Sequence, residues 1–378
     1  MRALKEGARA AKSVLYALPL MLACLAATAA PAAPPQPAPA AASAAPELPR
    51  GKGLPVVVRA ALFFASLDGF DDGKGSFEAT TDLRLSWHDG SLRFPATTVS
   101  RGYKEYRGAA AETELARIWT PPVRMANRVG EPSLSERRLR VFPDGRVEVL
   151  ARTTAIYKVA VDVAKFPFDH QSLKVEIQVR EETLDAVDLD FSVEDVEFSK
   201  VADKAELGGW TLGLVNLNRE KIKGWDGENY AKVSASLDVQ RLAAGAFATV
   251  FIPLFASLLI PFLATWMNKS QDGGFEVEAF ELANVVIGGL FAVIALSFAI
   301  SAAYPVVAAG DNTVTRLIGL NYVALAVGLF IIVMFYRYGL PARWFGPYVQ
   351  EQGFRFLIWA FPFLFICTGL AFVLMAAA

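Results

Sequence analysis

FATVFIPLFASLLIPFLATWM, residues 247–267, runs without one charged side chain. At a rise of about 1.5 Å per residue a helix of this length crosses a bilayer core of roughly 30 Å. Three comparable apolar stretches follow at about 280–304, 315–336 and 356–375. Charged residues make up 20% of the 378-residue chain, yet 247–266, 280–304, 317–335 and 356–378 hold almost none except Glu281. Charge so unevenly distributed is the pattern of a membrane protein with four spanning helices.

Upstream of this block the texture changes. From Leu54 to about Arg241 the chain reads as short alternating segments, such as Thr81-Asp82-Leu83-Arg84-Leu85-Ser86-Trp87 and Arg146-Val147-Glu148-Val149. Period-two alternation with frequent turns predicts an antiparallel, immunoglobulin-like β-sandwich over residues 51–241. Asp71-Asp72-Gly73 and Pro143-Asp144-Gly145 are turn signals, since glycine supplies the positive φ of tight hairpins. The predicted fold is an extracellular all-β sandwich followed by an all-α four-helix transmembrane domain over 242–378.

Further upstream, Arg2, Lys5, Arg9 and Lys12 precede an apolar run from Val14 to Ala27, and Ala27-Thr28-Ala29 has the small-residue spacing of a signal cleavage site. Residues 1–29 read as a secretory signal; a fifth span is disfavoured by Pro19 and by length. A lipoprotein signal around Cys24 is a poor match. Residues 30–50 are an Ala/Pro-rich leader that cannot bury a core and is expected to be disordered. The signal places the sandwich outside the cell. Four crossings then leave Arg337, Arg343 and Arg355, between the third and fourth helices, on the cytoplasmic side, in line with the positive-inside rule. The loop 268–279 is acidic, with Asp272, Glu276 and Glu278 against Lys269, and adds nothing to that bias.

The inventory excludes several function classes. A formal net charge of -1 leaves no general basic surface for nucleic acid. Cys24 and Cys367 are the two cysteines and His88 and His170 the two histidines. No metal centre, catalytic cluster or cofactor is expected from so sparse a set, and the chain does not read as an enzyme.

Three motifs stand in order along the sandwich: Leu85-Ser86-Trp87-His88-Asp89 with Leu92, Ile118-Trp119-Thr120-Pro121 with Asn127, and Phe166-Pro167-Phe168-Asp169-His170-Gln171. Together they resemble the pentameric ligand-gated ion channels, the Cys-loop receptor superfamily, in its prokaryotic branch. The resemblance covers about residues 54–375. It implies a homopentamer in a bacterial inner membrane, with a periplasmic sandwich that binds a small-molecule, ion or proton agonist at subunit interfaces. Eukaryotic members close the third motif's loop with a disulfide; the matching positions here are Val159 and Leu173, whose apolar packing has to replace it.

The resemblance also implies roles for residues. Arg241, just before the first span, can pair with carboxylates from loops overhanging the membrane, namely Asp169 and the acidic turn Asp68, Asp71 and Asp72, and with Phe166, Pro167 and Phe168 it forms the expected gating joint. The plainer reading of Arg241 is snorkelling at the membrane interface. Pro253 inside the first span marks an expected bend. The positions of an amine-binding aromatic cage are occupied by Asp82, Ala126 and Arg180, which leaves Trp225 and Tyr230 on the capping loop, so a quaternary amine is not the expected ligand. Arg180 can hold an anion instead, or simply pair with Glu181 or Glu182. Matching through Glu281 and Asn284 points Val286, Leu290, Val293, Ser297 and Ile300 at the pore axis; the opposite face carries Asn284, Gly288, Ala295 and Ala299. A ring of Glu281 side chains at the cytoplasmic mouth predicts cation preference. The apolar pore face leaves a second reading open, a non-conducting receptor or assembly module of the same fold.

Overall fold

The computed structural model describes Leu48, Pro49 and residues 53–271, 274–275 and 277–378. The predicted signal at 1–29, nearly all of the leader at 30–50, and Asp272 and Glu276 lie outside the described residues.

Ten strands build the sandwich: β1 (Val56–Asp71), β2 (Ser76–His88), β3 (Lys104–Arg107), β4 (Val123–Met125), β5 (Arg128–Val141), β6 (Arg146–Lys158), β7 (His170–Val179), β8 (Val187–Asp190), β9 (Trp210–Lys223) and β10 (Asn229–Arg241). They form a sheet in the order β3-β5-β6-β2-β1-β8 and a second in the order β4-β7-β10-β9. The period-two pattern does what it predicts in β2, where Leu83, Leu85 and Trp87 are buried while Asp82, Arg84, Ser86 and His88 point outward. Leu62, Phe64, Tyr157, Leu139, Ile177 and Leu237 fill the space between the sheets with no exposed area. Trp87 and Trp119, the tryptophans of the first two motifs, meet edge to face at 6.0 Å in this core. At the β5–β6 hairpin Gly145 has φ +86°, and a Cβ there would lie 2.4 Å from the backbone oxygen of Asp89. Only glycine fits that turn.

A short helix α1 (Ala109–Leu115) covers one edge, and α2 (Val193–Phe198) packs against β1. Asp195 fixes α2 by accepting from the backbone N–H and hydroxyl of Ser192 at 2.8 and 2.7 Å and from Arg84 at 2.8 Å. Burial pushes the Asp195 pKa up, but the Ser192 and Arg84 hydrogen bonds outweigh it and hold it below the usual carboxylate value. A folded-state pKa below the unfolded value of about 3.9 contributes stability that is present above that pH and is lost as pH falls through the folded value. Thermal unfolding followed down an acid series is therefore expected to show an acid-side loss that Asp195→Asn removes. A mutant and a parent with the same acid-side slope would contradict it.

Four helices are long and apolar enough to cross a membrane: Ala243–Trp266, Ala279–Ala303, Thr313–Arg337 and Pro347–Ala377. The fourth begins well ahead of its apolar stretch, because Gly346, at φ 93°, and Pro347 at the first helical position start it in polar sequence. Asn312 caps the third by accepting from the N–H groups of Val314 and Thr315. Strand β10 ends at Arg241 and the first spanning helix starts at Ala243, so Leu242 alone connects sheet to membrane.

The first spanning helix is irregular. Phe247–Phe251 is wound as a π-helix, directly ahead of Pro253, and Pro261 breaks the backbone ladder again. Between the prolines, Asn321 of the third span reaches across. Its amide donates to the carbonyls of Leu254 at 3.2 Å and Leu317 at 2.9 Å, and its oxygen lies 2.8 Å from the Ser257 hydroxyl. Both side chains are buried, so this polar contact ties the two helices at the level where the first is weakest.

Candidate functional site

At the end of the sandwich nearest the helices, Arg241 closes β10 with its side chain only 10% exposed. Its Nε donates to Asp169 Oδ1 at 2.8 Å, and its Nη2 to Asp72 Oδ2 at 2.8 Å and Asp169 Oδ2 at 3.1 Å. The Arg241–Asp169 contact is bidentate, the geometry that guanidinium and carboxylate share. The guanidinium also lies over the rings of Trp210 at 4.2 Å and Phe166 at 5.1 Å. Burial alone would lower its pKa; the Asp169 and Asp72 hydrogen bonds and charges outweigh that and raise it above its ordinary value. Arg241 is held by named partners, which excludes snorkelling as its role in the fold.

The acidic turn divides. Asp72 reaches Arg241, whereas Asp71 pairs with Lys74 at 2.9 Å and the exposed Asp68 accepts from the Ser66 hydroxyl at 3.2 Å. The same turn rests on the loop after the second spanning helix, since a Cβ on Gly73 would lie 3.2 Å from the Pro305 ring.

The loop between β6 and β7 descends into the helices. Phe166 is fully buried against Phe251 of the first span at 6.4 Å and Tyr304 at the end of the second at 5.6 Å, within an apolar cluster that includes Val163, Ile300 and Leu317. Pro167 is buried beside it after a cis peptide bond. Phe168 meets Phe247 at 5.8 Å. One loop thus shares an apolar cluster with residues of the first, second and third spanning helices.

Val159 and Leu173 both join the sandwich core. A further residue closes the loop, one that the sequence reading quoted in the third motif without giving it a role. The buried amide of Gln171 donates to the carbonyl of Asp162 at 2.6 Å and to Asp169 Oδ2 at 2.8 Å, while its oxygen accepts the Asp162 N–H at 3.0 Å. Gln171 braces both the loop and the carboxylate that holds Arg241.

Residues 44–243 of this chain match the neurotransmitter-gated ion-channel ligand binding domain. The chain belongs to that family. It is 23% identical over 228 residues to the mouse (Mus musculus) gamma-aminobutyric acid receptor subunit theta, covering 59% of this chain and 34% of that subunit. It is 25% identical over 220 residues to a proton-gated ion channel of Gloeobacter violaceus, covering 57% of this chain and 58% of that channel. The matches therefore span less than two thirds of either relative.

The loop expected to cap a ligand site joins β9 to β10. Trp225 at its tip is fully exposed, and Tyr230 behind it donates its hydroxyl to Asp226 at 2.5 Å. That bond lowers the Asp226 pKa and raises the Tyr230 pKa. Arg180, exposed just past β7, has no ion pair with Glu181 or Glu182 among the described residues; its backbone N–H bonds to Pro122 at 3.2 Å. No hydrogen bond or ring contact joins Arg180 to Trp225 or Tyr230 within the described chain. Asp82, which the resemblance puts at an expected cage position, is taken up by Arg152, which donates to both its oxygens at 2.7 and 2.6 Å.

The second spanning helix corrects the expected pore face. Val286, Val293 and Ile300 are buried against helices of the same chain, at 3%, 0% and 3% exposure, so they cannot also face a pore. Ser297 is half-buried and Leu290 lies at the edge of the free face. The free face, in steps of three and four residues, carries Glu281, Asn284, Gly288, Phe291, Ala295 and Phe298. The register chosen from sequence was turned toward the bundle: with apolar residues on every side, periodicity could not tell the packed stripe from the open one.

Proposed function

We propose that the chain is one subunit of a ligand-gated, cation-selective ion channel made of five copies of itself in a bacterial inner membrane. In this reading the sandwich is periplasmic and an agonist binds between the sandwiches of neighbouring subunits. The observation that carries it is the junction. Arg241, Asp169 and Asp72 tie both overhanging loops to the strand that leads into the first span, and Phe166 packs against the end of the second. Movement of the sheets is thereby delivered to the helix with the free face.

That face is the proposed pore lining. Five copies of Glu281 at the cytoplasmic mouth would concentrate cations, and five copies of Phe291, 68% exposed in the single chain, would form an apolar constriction that gates by dewetting. The agonist site would lie by Trp225, Tyr230 and Arg180, and the missing cage aromatics argue for an anion or a proton rather than a quaternary amine.

Bilayer recording of the purified protein across an acidic-to-neutral pH series tests the reading. Currents that reverse with the sodium gradient are expected, with Glu281→Gln reducing the preference and Phe291→Ser raising open probability by about tenfold or more. Reversal that follows chloride would remove the cation assignment. Silence that persists in Phe291→Ser would favour the second reading, a non-conducting receptor or assembly module, for which the bulky Phe291 and Phe298 on the free face are the supporting observation.

A further inference from the structure

At the end of the sandwich away from the helices, the start of β1, the end of β2 and the start of β6 enclose a cavity of about 430 Å³. Two guanidiniums line it, Arg59 and Arg146, with Ser86 and His88 between them on β2. Pro49, Pro55 and Val57 add apolar lining.

The sheet register puts Arg59 and Arg146 on the two strands that flank β2, Arg59 opposite Ser86 and Arg146 opposite His88. The Arg93 guanidinium lies 3.4 Å from His88 Nε2. The nearby carboxylates make their contacts with groups other than the Arg59 and Arg146 side chains. Glu148, opposite Ser86, pairs with Arg140 at 3.2 Å, and Asp190, beside Arg59 across the β1–β8 pair, pairs with Arg219 at 3.5 Å. Asp144 lines the cavity, but its Oδ1 accepts the backbone N–H of Arg146 at 3.0 Å. Among the described residues, neither Arg59 nor Arg146 has an acidic partner, and the Arg146 guanidinium is instead positioned over the Phe142 ring at 3.9 Å. Two guanidiniums without an acidic partner, lining one cavity together with a histidine and apolar side chains, are the complement of an organic anion.

We propose that this cavity binds a small carboxylate with an apolar body, its carboxylate held by Arg59 and Arg146 and its body against Pro49, Pro55 and Val57. Its lining residues all belong to one chain, and Arg180 is not among them.

Titration calorimetry of the full-length protein with benzoate, and with benzamide as the neutral isostere, tests it. Benzoate is expected to bind saturably and benzamide not. Arg59→Gln and Arg146→Gln, both on the outer face of the sheet, should each weaken benzoate by about tenfold or more. Thermal unfolding of each variant confirms the fold, and either variant alone suffices if the other does not fold. Equal binding of the two probes, or benzoate binding unchanged in the folded variants, would overturn the proposal. Loss confined to Arg180→Ala would also overturn it by placing the anion at the interface.

Discussion

Arg241→Gln is expected to lower the unfolding temperature of the purified chain by roughly 10 °C, the shift that about 3–5 kcal/mol produces in a domain of this size. The size follows from what is left behind. Asp169 is 1% exposed, and without the guanidinium its charge has only the Gln171 amide to meet it. Asp169→Asn should cost a similar amount, and Asp72→Asn less, because Asp72 is 25% exposed and accepts a single bond. Arg241→Lys should fall between, keeping the charge but losing the fork and the stacking on Trp210. In a double-mutant cycle, Arg241→Gln with Asp169→Asn should show a coupling of about 1–3 kcal/mol. Additive effects, or a single cost under about 1 kcal/mol, would reduce Arg241 to a surface charge.

The second large effect belongs to Phe166. Truncation to alanine empties a fully buried site between Phe251 and Tyr304 and should cost about 3–5 kcal/mol, whereas Phe166→Leu, closer in volume, should cost under about 1.5 kcal/mol. Because the ring joins a sandwich loop to two spanning helices, the proposed channel should also lose agonist-evoked current in Phe166→Ala while still assembling. Full currents in that variant, at normal surface expression, would show that the signal takes another route. A cost under about 1 kcal/mol for Phe166→Ala would mean the site collapses without loss.

The sandwich and the four helices were legible because they rest on periods that survive any packing: alternation in β2, and uninterrupted apolar length in the spans. The Arg241–Asp169 contact was legible for a different reason, since a charge beside a membrane needs a partner and few candidates were near. The choice of Asp72 over Asp68 and Asp71 was not, because it depends on which way a turn leans. Nor was Gln171, whose amide matters only once the chain on either side of the loop has been brought together. The pore face failed for a reason of degeneracy: when a helix is apolar all round, the stripe that packs and the stripe that stays open differ in neighbours, and neighbours are a property of the fold. Asn321 shows the converse, a lone polar residue in an apolar span whose partner, Ser257, becomes apparent only across the helix pair.

The Gln171 brace has a consequence for where such a loop can work. A loop closed by a cystine is intact only as long as its surroundings keep it oxidised, and thiols open it. Three hydrogen bonds from one amide carry no such dependence. The joint between sheet and membrane is therefore indifferent to the redox state around it: dithiothreitol should leave it closed. It also forms without an oxidising partner enzyme, as soon as the chain folds.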